Sequence, residues 1–243
     1  MPAVKPERVT QNRVIQLFCN ELHYTYLGDW QYRPNNSNIE EELLAQYLAK
    51  QRYTTAQISK AILELKKEAN QFDNSLYERN KAVYSLLRYG IKVKTDVSEK
   101  TPTIKLINWE EPEKNDWAIA KEVTLKGDHD RRPDLVLYLN GLAIAVIELK
   151  KSSISIGEGI RQNISNQRPE FHEKFFSTVQ ILIAGNDSQG LRYGAIKTEE
   201  KYYLAWKEDP EDDSRIQLDK YLLKLCNPQR LLEIIHDFIV FDA

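Results

Sequence analysis

The sequence predicts an α/β fold in which a mixed sheet is flanked by helices and preceded by a helical N-terminal part. Three observations predict it. Apolar residues recur near helical spacing through the first ninety positions. From IKVKT onward the spacing changes to the two-residue alternation of strands. Two strongly apolar runs then flank Asn140-Gly141 within RRPDLVLYLNGLAIAVIELKKS, residues 131–152. With 243 residues, 42% of them hydrophobic and 29% charged, the chain has material for one large core or two small ones.

The first helix is read from Val9, Val14, Ile15, Leu17, Phe18 and Leu22. GDWQYRPNNSN is a loop. Ser37 or Asn38 is placed to cap the next helix, with Glu40, Glu41 and Glu42 in the first turn, where the helix dipole favours acids. Thr54 or Thr55 caps a third helix through Lys67. A fourth runs along LYERNKAVYSLLRYG and stops at Gly90. IKVKT and TIKLINW alternate as strands of a sheet with one solvated face. EPEKND is a loop and WAIAKEVTL a strand. After the hairpin, Gly157 to Asn166 is helical, TVQILIAG is a buried strand, and LRYGAI and KYYLAW are short strands. From Asp212 the chain is mostly helix, with Asn227 and Pro228 as cap and first helical position. These readings divide the chain into a helical part (1–90), a core (91–210) and C-terminal helices (211–243).

The net charge of -2 leaves no global basic signature, so nucleic-acid binding requires a local patch. Two distant cysteines, Cys19 and Cys226, suggest reduced thiols and not a disulfide framework. No apolar run approaches the ~20 residues that span a bilayer, and the N-terminus has no signal-peptide core. A cytoplasmic protein that does not engage membranes is the expectation.

Asn-Gly suits a type I′ turn, which needs positive φ at both central residues. Tight pairing around Asn140-Gly141 sets Leu139 against Leu142, Leu137 against Ile144 and Leu135 against Val146. Val136, Tyr138, Ala143 and Ala145 occupy the other face. Both faces are apolar, so the hairpin belongs in the middle of a covered sheet. The small alanines would admit a closely packed helix.

Charges at the ends of such strands are costly unless paired, solvated or bound to metal. Glu148 and Lys150 are two apart and project to one side. Asp134 opens the partner strand after Pro133. Two carboxylates brought together repel, and a divalent cation relieves that repulsion. An ammonium beside them can hold a water or steady an oxyanion, which completes the minimum for metal-dependent phosphodiester hydrolysis. Glu-x-Lys by itself is commonplace at solvated strand ends. The added Pro-Asp and two-sided apolar hairpin carry the argument. Strict register, however, sets Asp134 opposite Ile147 and leaves the acids on opposite faces. A bulge, or a turn of Asp134 back from beyond the strand, would bring them together.

Pro133-Asp134 followed by Glu148-Leu149-Lys150 resembles the PD-(D/E)xK nuclease superfamily. Longer segments extend the likeness: NWEEPEKNDWAIAKEVTLKG, EGIRQNISNQ, IAGNDSQGLRYGAIKTEEKYYLAWKE, SNIEEELL and LYERNKAVYSLLRYGIKV come in family order. Together they resemble the N-terminal nuclease region of HsdR, the restriction and motor subunit of type I restriction-modification enzymes. The resemblance implies a restriction-endonuclease-like core. It implies Asp134 and Glu148 as ligands of Mg²⁺, for which Mn²⁺ can substitute, with the Leu149 carbonyl completing the coordination and Lys150 as catalytic lysine. Gln162 matches the first residue of the superfamily's Gln-x-x-x-Tyr motif, whereas Asn166 stands where tyrosine is expected. Glu7 is the candidate for a first-helix glutamate, against a surface-charge reading that is slightly preferred.

The same resemblance implies double-stranded DNA and the specificity and methyltransferase subunits as partners, with ATP serving only a motor. No G-x-x-x-x-G-K-[ST] phosphate loop occurs in these residues, and SIGEGI lacks its lysine and spacing. ATP hydrolysis by the chain alone is not expected. Arg131, Arg132, Lys151, Arg161 and Arg168 flank the expected site and could hold phosphates, although each alone is an ordinary surface charge. His23, His129, His172 and His236 show no metal-ligand spacing, and the four tryptophans read as core or rim residues. The alternatives are a non-catalytic DNA-binding or docking domain and a stand-alone repair nuclease of the same fold.

Overall fold

The computed structural model describes residues 7–94, 101–127, 129–208 and 214–241. Seven strands form one mixed sheet. They are β1 (Thr25–Asp29), β4 (Trp117–Lys121), β5 (Leu135–Leu139), β6 (Leu142–Leu149), β7 (Ile181–Asn186), β8 (Gly190–Gly194) and β9 (Leu204–Ala205), in that spatial order. β1 runs parallel to β4 and β6 parallel to β7, and the other neighbours are antiparallel. β2 (Ile91–Lys92) and β3 (Thr103–Ile104) pair separately.

The predicted helices are present as α1 (Glu7–Glu21), α2 (Glu41–Lys50), α3 (Thr55–Ala69), α4 (Leu76–Tyr89), α5 (Ile156–Asn166), α6 (Gln217–Leu225) and α7 (Pro228–Glu233). Thr54 caps α3 in a reciprocal box with Gln57, and Asn227 caps α7 ahead of Pro228. Gly90 ends α4 at φ 80°.

Several local expectations differ. The first ninety residues are not all helical, because β1 lies among them and joins the sheet through parallel pairing with β4, a partner some ninety positions away. Ser37 and Asn38 do not cap α2. Glu40 holds the N-cap position, and its carboxylate takes Arg33 and the backbone N–H of Ser37. IKVKT and TIKLINW contribute only the short β2 and β3, outside the main sheet; Thr95 lies outside the described residues. KYYLAW is a 3₁₀ turn followed by the two residues of β9, and α7 continues as a π turn over Ile234–Phe238.

The sheet is covered on both faces. The larger core joins Phe18 of α1, Leu48 of α2, Leu65 of α3, Leu222 of α6 and the hairpin residues Leu135, Leu137, Leu139 and Ile147. The smaller one joins Val136, Tyr138 and Val146 to Ile160 of α5 and Phe176. Every residue of β5 and β6 is buried, and each large aliphatic side chain stabilises the fold by about 1.5–3 kcal/mol. α5 approaches the sheet at Gly159, where a Cβ would stand 3.1 Å from that of Ala184 on β7.

Candidate metal and nuclease site

Asn140 and Gly141 adopt φ of 54° and 85°, so the turn forms as expected. Leu139 pairs with Leu142 and Tyr138 with Ala143, but Leu137 then pairs with Ala145. Ile144 is therefore an extra residue in β6. Beyond this bulge every partner moves by one: Leu135 faces Ile147, and Asp134 comes level with Glu148. Val146 joins Val136 on one face while Ala145 turns to the other, the reverse of the strict-register assignment. Two residues before Val136 and two after Val146, Asp134 and Glu148 share the side that α5 covers.

Asp134 is 7% exposed and Glu148 0%. Asp134 Oδ2 accepts from the Leu149 backbone N–H at 2.7 Å and Oδ1 from Gln11 Nε2 of α1 at 2.9 Å. Glu148 Oε1 accepts from Asn166 Nδ2 at 3.3 Å, while Oε2 is buried with no hydrogen-bond partner. Lys150 Nζ lies 3.2 Å from the Leu149 carbonyl, 3.5 Å from Glu7 Oε1 and 3.9 Å from Glu148 Oε2. A cleft of about 600 Å³ opens onto this group, lined by Glu7, Asp134, Lys150 and Gln162 among others.

Burial dominates the electrostatics. It raises the Asp134 carboxyl from 3.8 to about 6, against the opposing pull of Lys150 and the Leu149 N–H. Glu148 is raised well above its usual range, first by complete burial and then by repulsion from Asp134. The orphaned Glu148 Oε2, the adjoining Asp134 carboxylate and the all-oxygen donor set fit a hard divalent cation. Among the described residues no three His, Cys, Asp or Glu side chains converge as a ready metal cage. The arrangement instead suits two carboxylates with a backbone carbonyl, waters and substrate oxygens.

The structure brings together Asp134, Glu148, the Leu149 carbonyl, Lys150, Gln162 and Glu7. Glu7 is half-buried, with 34% of its side chain exposed, and its carboxylate lies 3.5 Å from the Lys150 ammonium. Asn166, which departs from the motif tyrosine, nonetheless reaches Glu148. Gln11 was not anticipated. Its spacing of four from Glu7 on one helix was the available signal. Arg131 and Arg132 line a common groove. Arg132 lines the cleft and pairs with Glu122 at 2.6 Å. Arg131 lies 3.6 Å over the Phe171 ring, Arg161 is held by Glu158 and Glu200, Arg168 lies 3.9 Å from Glu170, and Lys151 is exposed.

The family described as "Type I restriction enzyme R protein N terminus" matches residues 4–201. The chain belongs to this R-protein N-terminal family. Among its curated relatives, a Methanocaldococcus jannaschii protein provisionally named the MjaIXP endonuclease subunit of a type I restriction enzyme is 25% identical over 96% of this chain and 25% of its own length. The HindI endonuclease subunit of Haemophilus influenzae is 25% identical over 75% of this chain and 18% of its own length. The R-protein N-terminal chain thus spans about a quarter or less of these relatives. No helix among its described residues is long and apolar enough to cross a membrane.

Proposed function

We propose that this R-protein N-terminal chain is the metal-dependent DNA endonuclease domain of a type I restriction enzyme, hydrolysing phosphodiester bonds of double-stranded DNA. The observation that carries the reading is the pair of buried carboxylates, Asp134 and Glu148, with one carboxylate oxygen unsatisfied and the Lys150 ammonium alongside. Asp134, Glu148 and the Leu149 carbonyl would hold Mg²⁺, or Mn²⁺ in its place. A bound cation there would supply charge neutralisation at the scissile phosphate and acidify a water.

The chain's own residues have distinct parts. Gln11 and the Leu149 N–H fix both oxygens of Asp134, and Asn166 holds one oxygen of Glu148. Lys150, kept near the site by Glu7, is placed to orient a water and to oppose charge that develops on the phosphate. Gln162 on the cleft wall is a hydrogen-bonding group for water or a phosphate oxygen. The specificity and methyltransferase subunits, and ATP-driven translocation by the remainder of the protein, belong to the same reading.

In the complete protein, Asp134→Ala, Glu148→Ala or Lys150→Ala should abolish cutting while ATP-driven translocation persists. Near wild-type cutting by any one of them would remove that residue from the machinery.

A further inference from the structure

The cleft does not end at the carboxylates. Gln31, Tyr32 and Arg132 line it and also line a second groove of about 770 Å³, bounded by the loop 31–36 and by Thr124, Lys126 and residues 130–132. The loop is tied down. Asn36 Nδ2 donates to the carbonyls of Trp30 and Thr124 at 3.0 and 2.9 Å, and Thr124 Oγ1 donates to the Gln31 carbonyl at 2.8 Å. Arg33 lies 3.9 Å over the Trp30 ring while pairing with Glu40. This braced loop holds Tyr32 with 89% of its surface exposed, where the two spaces meet. Gln31 Nε2 donates to the Tyr32 hydroxyl at 3.0 Å, which restrains the ring's tip without covering its faces.

A single exposed tyrosine is ordinary. Here a braced loop displays the ring on the lining of the same carboxylate cleft as the Arg132 guanidinium. Arg132 is itself oriented, because its Nε meets Glu122 Oε2 at 2.6 Å while its side chain stays 47% exposed. Glu122 stands at φ 52°, an uncommon conformation for glutamate. A stacking ring next to a fixed cation is the equipment that holds an unpaired nucleotide.

We propose that Tyr32 and Arg132 form a nucleotide subsite beside the scissile position. Arg132 takes the phosphate that flanks the scissile one, and the Tyr32 ring stacks on the base of that nucleotide, turned out of the duplex. The inference rests on the nuclease reading of the cleft.

The test uses the complete protein with Ca²⁺ in place of Mg²⁺, titrated with labelled duplexes that are either fully paired or carry a short mismatched stretch. Wild type should prefer the mismatched DNA. Tyr32→Ala should lose that preference and bind it roughly tenfold more weakly, at an unchanged melting temperature because the ring is exposed. Tyr32→Phe should stay within roughly twofold of wild type. Arg132→Ala should lower the slope of log affinity against log salt by about one, and Tyr32→Ala should leave the slope alone. Wild-type binding by Tyr32→Ala, or an equal loss in Tyr32→Phe, overturns the stacking role. Asp134→Ala, assayed for cutting with Mg²⁺ and for binding with Ca²⁺, separates the two readings: if it still cuts, the nuclease assignment falls; if it binds normally and does not cut, a failure of the Tyr32 variants counts against the subsite alone.

Discussion

The Leu149 backbone N–H donates to Asp134 Oδ2 at 2.7 Å, joining the first carboxylate of the site to the residue between the second carboxylate and the lysine. The contact exists because the Ile144 bulge brings Asp134 level with Glu148. Two buried acids then face each other without enough donors, and the consequences are measurable.

Divalent cations should stabilise the fold. A ligand that binds only the folded state raises stability by mass action, about 2.7 kcal/mol at a hundred times its Kd. The melting temperature should rise with Mg²⁺ or Mn²⁺, and the rise should shrink in Glu148→Ala. An equal rise in both proteins would mean nonspecific ion binding.

Stability of the metal-free protein should fall as pH rises through about 6. The Asp134 carboxyl titrates near 6 when folded and near 3.8 when unfolded, so between those values the folded state holds more protons. The contribution is fully present below about pH 4 and lost above 6, on the order of 3 kcal/mol. Glu148 shifts in the same direction. Denaturant unfolding across pH should show this decline, and Asp134→Asn should flatten it. A wild-type profile parallel to that of Asp134→Asn would refute the assignment. Stabilisation by added Mg²⁺ should grow with pH, since cation and proton compete for the pair.

Asn166→Leu removes the amide donor from a buried carboxylate and should cost about 1–3 kcal/mol. Loss of a residue that orients a ligand should also weaken Mn²⁺ binding by about tenfold or more. Calorimetric titration gives both affinities, and unchanged Mn²⁺ binding would reduce Asn166 to a packing role.

The chain of 243 residues alone should bind DNA weakly and without sequence preference, on the order of micromolar or weaker at physiological salt, and cut it little. Arg161 is already satisfied by two acids and Arg131 lies over the Phe171 ring, so exposed Lys151, and Arg132 with its single acid partner, should carry more of the salt dependence. Filter binding across salt concentrations checks it. Tight binding to one sequence would mean that these residues read bases themselves.

The sequence by itself determined what local chemistry encodes. Asn140-Gly141 set the turn because few residues accept two positive φ values. Thr54 and Asn227 set helix starts through their own side-chain acceptors. The uninterrupted apolar runs gave a hairpin buried on both faces, and Pro133-Asp134 with Glu148 and Lys150 marked its charged end. Tertiary structure decided what depends on distant partners. Strict alternation placed the two acids apart, and packing of the hairpin between two cores made Ile144 a bulge that brought them together. β1 is a strand because β4 lies beside it. Gln11 reaches Asp134 across 123 positions, and Asn166 finds Glu148 only because α5 folds over β6. A polar side chain has no partner of its own in a sequence; burial beside an unsatisfied carboxylate oxygen gives it one.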